Sequence, residues 1–142
     1  MGGQWVQFVA GGLTVGAIYA LVALGFSIIF NASRVINFAQ GEFVMIGGMA
    51  TVFFLSLGLP MPLTILCAVG LAVVAGLALE KFAVEPARNA GVVTLIIITI
   101  GASIFMRGLA QVFWGKEFFA MPSFSGDAPI VVGGATILPQ SL

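Results

Sequence analysis

The stretch that decides the fold is VQFVAGGLTVGAIYALVALGFSIIF, residues 6–30. It runs for 25 residues without a charged side chain. About 20 apolar residues are enough to cross the hydrocarbon core of a bilayer as a helix. The first charged residue is Arg34, so the segment lacks the basic start of a cleaved signal peptide. We therefore expect it to stay in the membrane as an anchor.

Three further apolar segments predict helices, at residues 38–59, 62–82 and 92–114. Gly58, Pro60 and Pro62 predict a tight turn between the first two, since proline ends one helix and starts the next. Beyond the third segment the charged residues predict a loop, and these are Glu80, Lys81, Glu85 and Arg88.

The C-terminal tail, residues 115–142, is richer in proline, serine and glycine and predicts an aqueous loop. Within it IVV at 130–132 and ATI at 135–137 flank Gly133 and Gly134, which indicates a short hairpin. We expect residues 1–142 to form a single membrane domain that ends in this tail.

Composition supports a lipid-facing protein. Hydrophobic residues make up 61% of the chain, charged residues only 7%, and the mean hydropathy is +1.20. A soluble domain carries about 25% charged residues, so this chain cannot build a water-facing shell. The sequence thus predicts an all-α integral membrane protein with about four transmembrane helices and a short extracytoplasmic tail.

Charge and residue content exclude several classes of function. Five basic and five acidic residues cancel, and no basic face exists to bind nucleic acid. Histidine is absent, which excludes imidazole triads and histidine metal sites, and the lone Cys67 excludes an internal disulfide. Gly115 and Lys116 are followed by Glu117 and do not form an ATP-binding loop. We expect no enzyme activity, catalytic residue, metal or cofactor in this chain.

The basic residues predict the orientation. With the N-terminus outside the cell, Arg34, Lys81 and Arg88 lie on the cytoplasmic side and only Lys116 lies outside. Cytoplasmic loops carry the excess of lysine and arginine, so an extracytoplasmic N-terminus is favoured.

Asn37, Gln40 and Glu42 are the candidate functional residues. Asn37 could cap the second helix, with Gln40 three residues later completing a capping box and Glu42 favoured near the positive end of the helix dipole. That structural interpretation accounts for all three side chains. The functional alternative is that they line a polar translocation pathway, because ionisable groups at membrane depth often mark such routes.

Arg107 is the single charge in the fourth segment. We favour the interpretation that it snorkels to the outer interface, since it lies near the end of that segment. The alternative is an ion pair with an acid on another helix. The spacings of Gly12 with Gly16 and of Ala72 with Gly76 indicate faces that pack closely on other helices.

Several short strings together resemble one transporter family. They are YAL at residues 19–21, VINFAQGE at 35–42, MIG at 45–47, PAR at 86–88 and TIGAS at 99–103. In order and spacing they resemble the permeases of the branched-chain amino acid ABC importers, of which VINFAQGE is the most specific string. Glu85 departs from that family, in which a basic residue more often precedes the proline.

The resemblance implies an inner-membrane permease subunit of a bacterium that moves leucine, isoleucine or valine inward. Its implied partners are a second permease, two cytoplasmic ATPases that bind ATP and Mg²⁺, and a periplasmic substrate-binding protein. Related permeases carry urea, short amides or other amino acids. Because permeases of that family are about twice as long, we expect this chain to be the front part of a permease, inactive alone.

Two other functions stay open from sequence. A self-contained four-helix exporter of small cations would use Glu42 as its proton-coupled acid. A membrane anchor or assembly subunit would tolerate polar substitutions at Asn37 or Gln40.

Overall fold

A computed structural model describes residues 2–117, 120–123, 126, 128–132 and 134–139. Within these residues the chain forms four α-helices and one two-stranded sheet. The helices are α1 (Gly2–Ser33), α2 (Gln40–Ser56), α3 (Met61–Leu79) and α4 (Val92–Trp114), and the strands are β1 (Ile130–Val132) and β2 (Ala135–Ile137). The helical membrane fold predicted from sequence is confirmed.

The helices differ in whether they can span a membrane. In the described part of the chain three are long and apolar enough: α1, α3 with its extension to Ala87, and α4. At 1.5 Å per residue, the 17 residues of α2 reach only about 25 Å, short of a core of about 30 Å. The structure therefore has three candidate spans and one shorter apolar helix. The helix predicted at 38–59 is shorter in the structure, with a turn at each end.

The chain divides into two compact units, residues 1–25 with 122–142 and residues 26–121. In the second unit, the turn between α2 and α3 follows the prediction. Gly58 has a φ of +80°, a left-handed conformation that glycine adopts without a steric penalty. Pro60 is extended before α3, and a proline occupies the first turn of that helix.

The charged segment after α3 is helical, which corrects the predicted loop. A π-helical turn covers Glu80–Val84 and a 3-10 turn covers Glu85–Ala87, so only the residues from Arg88 to Gly91 are irregular. A π turn bonds residues five apart, which brings Leu79 and Val84 toward one side. Both side chains are buried, and their burial explains why the helix continues past its charged residues.

The core of this unit lies where the start of α2, the end of α3 and the start of α4 meet. Its buried members are Ala39, Leu79, Val84 and Leu95. Of all the helix pairs, α2 and α3 share the most extensive contact. Ala72 and Gly76, whose spacing predicted close packing, line a groove beside α2 together with Gly47 and Ala68.

The first unit holds the predicted hairpin. Strands β1 and β2 are antiparallel, with Ile130 opposite Ile137 and Val131 opposite Thr136. Gly134 turns the chain with a φ of +83°, whereas Gly133 lies outside the described residues. The side chain of Gln7 on α1 binds the backbone of Thr136 twice: Nε2 donates to the carbonyl at 2.9 Å, and Oε1 accepts from the N–H at 2.8 Å. Gln7 thus pairs with β2 as a neighbouring strand would.

Candidate functional site

The three predicted site residues lie at the start of α2, but they do not form a capping box. The helix begins at Gln40, its N-cap position is Ala39, and no side chain caps it. Asn37 instead accepts a hydrogen bond at its Oδ1 from the N–H of Ala39 at 2.9 Å. An asparagine that bonds the backbone two residues on forms a turn, and this local bond replaces the predicted cap.

Glu42 is the centre of a polar cluster between α2 and α4. Its Oε1 accepts from Ser103 Oγ at 2.8 Å and from Arg107 Nη2 at 2.6 Å. The Glu42 side chain is 5% exposed, whereas that of Arg107 is 63% exposed. The favoured interpretation of Arg107 as a snorkelling residue with no acidic partner was therefore wrong, and the ion pair named as the alternative is present.

The physical reason for the pair is the burial of Glu42. A buried carboxylate without a partner is strongly unfavourable, and ionisable groups in membrane helices pair with one another or face water. The bonds from Ser103 and Arg107 supply that compensation, because hydrogen bonds to charged groups are shorter and stronger than neutral ones. The pair also holds the guanidinium against α2, so it is not free to turn toward the nearer membrane surface.

The Thr99 side chain links the non-helical segment before α2 to helix α4. This side chain is fully buried. Oγ1 accepts from the N–H of Phe38 at 3.3 Å and donates to the carbonyl of Ile96 at 2.9 Å. A backbone N–H within a membrane must find a partner in the protein, and this hydroxyl provides one.

These contacts place the start of α2 beside the middle of α4. Thr99 follows the first residue of α4 by seven positions and Arg107 precedes its last residue by seven, about 10 Å from each end. The non-helical residues 36–39 and the first turn of α2 therefore lie alongside the central third of a helix long enough to span the bilayer. Irregular backbone at this depth is found where it is buried in protein or lines a water-filled cavity.

Four polar residues of α4 share one spacing. Thr99, Ser103, Arg107 and Gln111 follow one another at intervals of four, which places them on one face of the helix. The stripe is fully buried at Thr99 and becomes exposed at Arg107 and Gln111. This four-residue spacing is the sequence signal that could have joined Thr99 and Gln111 to the candidate site.

The arrangement offers binding groups for a polar solute. A buried carboxylate, a hydroxyl and an exposed guanidinium lie together, and Gln40, two positions before Glu42, is also buried. Across the described residues no group of three His, Cys, Asp or Glu side chains could hold a metal ion.

Comparison with known proteins finds a matching family and related permeases. The family described as "Branched-chain amino acid transport system / permease component" matches residues 8–135. The permease protein LivH of the high-affinity branched-chain amino acid transport system of Escherichia coli K12 is 32% identical over 133 residues, which are 87% of this chain and 43% of that protein. The corresponding permease BraD of Pseudomonas aeruginosa is 31% identical over 129 residues, 84% of this chain and 42% of that protein.

The chain thus spans less than half the length of the curated relatives that it matches. No solved structure matches it significantly. The family match covers all four helices except the first turns of α1, and includes every residue of the polar cluster. On this match, the chain belongs to the family of branched-chain amino acid transport permease components.

Proposed function

We propose that this chain is part of the translocation pathway of an ABC importer that moves branched-chain amino acids into the cell. Its partners in this proposal are a second permease subunit, two cytoplasmic ATPases that bind ATP and Mg²⁺, and a periplasmic binding protein. The assembled transporter consists of these partners and a full-length permease subunit that contains this chain. Leucine, isoleucine and valine are the proposed substrates, as the name of the family and the names of the relatives suggest.

The observation that carries the proposal is the Glu42–Arg107 ion pair beside the irregular start of α2. Transporters bind their substrates near the middle of the bilayer, where interrupted helices leave polar backbone and side chains accessible. The short α2, with its non-helical approach along the middle of α4, is such an element. Asn37, Gln40 and Glu42 would line this part of the pathway.

The same pair weighs against a self-contained cation exporter. Such an exporter needs Glu42 to bind and release a proton or cation in each cycle. Here the Glu42 carboxylate is occupied by Ser103 and Arg107. A neutralised acid is better suited to shaping a pathway than to carrying a proton.

Uptake of radiolabelled leucine into proteoliposomes that contain the assembled transporter tests the proposal. We expect uptake to require ATP and the binding protein. Excess isoleucine or valine should inhibit this uptake, and excess urea should not. Uptake without ATP would contradict an ATP-driven importer. ATP-driven uptake of urea but of none of the three amino acids would overturn the proposed substrates.

The proposed orientation has the N-terminus outside the cell. In a Cys67→Ser background, Lys116→Cys and Lys81→Cys place one thiol on each proposed side. A membrane-impermeant maleimide should label the first in intact cells and the second only after the cells are opened. The reverse pattern would refute this orientation.

A further inference from the structure

The face of α4 that carries Arg107 is too polar to lie against lipid hydrocarbon. Arg107 lies within α4 about 10 Å from its nearer end, and its side chain is 63% exposed. Gln111, one turn further, is also exposed. Guanidinium and carboxamide groups at such a depth face water or polar partners, because their transfer into hydrocarbon is unfavourable.

The ion pair fixes the orientation of the Arg107 guanidinium. Glu42 contacts the guanidinium through one nitrogen, Nη2. Arginine carries five N–H donors in a rigid fork that matches the two oxygens of a carboxylate. The bond to Glu42 therefore orients the fork and leaves most of its surface for a second ligand.

The surroundings favour a small carboxylate that also has an apolar part. Ile104, one turn before Arg107, is exposed beside the polar stripe. The guanidinium would bind the carboxylate, the carboxamide of Gln111 could add a donor, and the apolar side chains around the stripe would contact an aliphatic group.

We propose that Arg107, held by Glu42, is a binding site for the carboxylate of the transported amino acid on a water-filled face formed by Ser103, Arg107 and Gln111. This inference rests on the proposed function, which assigned the pathway to residues in and just before the first turn of α2. Here α4 supplies the group that contacts the solute, and Glu42 acts as the positioning residue.

Cysteine labelling in the assembled transporter tests this inference. In a Cys67→Ser background, Gln111→Cys places a thiol one turn from Arg107. Phe105→Cys is the control, since Phe105 is exposed two positions from Arg107 but lies about 200° around the helix from it. We expect a charged, membrane-impermeant thiosulfonate to modify the cysteine at 111 and to leave that at 105 unmodified.

Ligand protection identifies the group that is bound. Millimolar leucine should slow the modification at 111 at least threefold, and so should 4-methylpentanoate, which keeps the carboxylate but lacks the ammonium group. Leucinamide, which lacks the carboxylate, should not slow it. Arg107→Gln should abolish the protection by leucine, and Arg107→Lys, which keeps the charge without the fork, should weaken it.

Three results would overturn the inference. One is an unreactive cysteine at 111, which would mean that the face is dry. Another is equal protection by leucine and leucinamide. The third is protection by added anionic lipid but not by leucine, which would assign Arg107 to a lipid phosphate. Leucine uptake by the Cys67→Ser transporter, in which the proposed binding residues are unchanged, separates these results from a failure of the proposed function, because that uptake would persist in each of them.

Discussion

The backbone N–H of Phe38 donates to the hydroxyl of Thr99, and this bond of 3.3 Å fixes the start of α2 against the middle of α4. It joins residues that lie 61 positions apart in the chain. Its consequence is that the non-helical residues before α2 lie at membrane depth, next to the Glu42–Arg107 pair. The candidate site exists because of this placement.

Replacing Thr99 by valine tests the bond. The variant keeps the shape of the side chain but leaves the N–H of Phe38 without its acceptor. A buried donor that loses its partner costs about 1–3 kcal/mol. We therefore expect the free energy of unfolding in detergent to fall by about 1–2 kcal/mol at the long bond length seen here.

Two variants serve as controls for Thr99→Val. Thr99→Ser keeps the hydroxyl and should lose less stability than the valine variant. Thr94→Val alters an exposed threonine of the same helix and should change stability by less than about 0.5 kcal/mol. Equal losses at positions 94 and 99 would mean that the bond to Phe38 contributes nothing measurable.

Replacing Gln7 by leucine tests how the hairpin is attached to α1. The variant removes both hydrogen bonds to Thr136, each worth about 0.5–1.5 kcal/mol. We expect an upfield shift of the Thr136 amide proton and faster exchange of that proton with solvent. Gln4→Leu, at an exposed glutamine of the same helix, is the control and should leave the Thr136 signal in place. An unchanged signal in the Gln7 variant would show that the two residues do not pair.

Gly3 and Gly11 form a matched pair of glycines in α1. A Cβ at Gly3 would lie 2.7 Å from the carbonyl oxygen of Gly134, whereas a Cβ at Gly11 has no heavy atom within 4 Å. Gly3→Ala should therefore displace the hairpin turn and speed amide exchange across residues 130–137, measured by mass spectrometry. Gly11→Ala should leave that exchange unchanged and stabilise the helix by about 1 kcal/mol. Normal exchange in Gly3→Ala would contradict the close approach.

Much of the fold follows from local features of the sequence. Long apolar runs predicted α1 and, despite the single charge of Arg107, α4, because the length of such a run directly reflects the thickness of the bilayer. Gly58 and Pro60 predicted the turn before α3. Glycine adopts left-handed backbone conformations without a steric penalty, and proline has a fixed φ. The Gly133–Gly134 pair predicted the position of the hairpin for the same reason.

Features that depend on competition between local bonds, or on tertiary contacts, were not predictable. Asn37 can cap a helix or bond the backbone two residues on, and both need the same side-chain oxygen. The π turn after α3 depends on the burial of Val84, which the surrounding charges conceal. The bond between Glu42 and Arg107 spans 65 positions, and the sequence around either residue does not indicate its partner.

Glu42 and Arg107 are proposed to act as one unit in the pathway, and a double-mutant cycle on ATP-driven leucine uptake measures their coupling. The cycle compares Glu42→Gln, Arg107→Gln and the double variant at equal amounts of transporter in the membrane. A control cycle uses Glu80 and Arg88, an ion pair of 3.5 Å whose side chains are 51% and 65% exposed. Exposed pairs of this kind contribute little.

We expect each single substitution of Glu42 or Arg107 to lower the initial rate of uptake at least tenfold. The double variant should be no slower than the slower single variant, while the Glu80 and Arg88 variants should stay within twofold of the unmodified transporter. Losses at Glu42 and Arg107 that multiply in the double variant, or full uptake by either single variant, would contradict this proposed coupling.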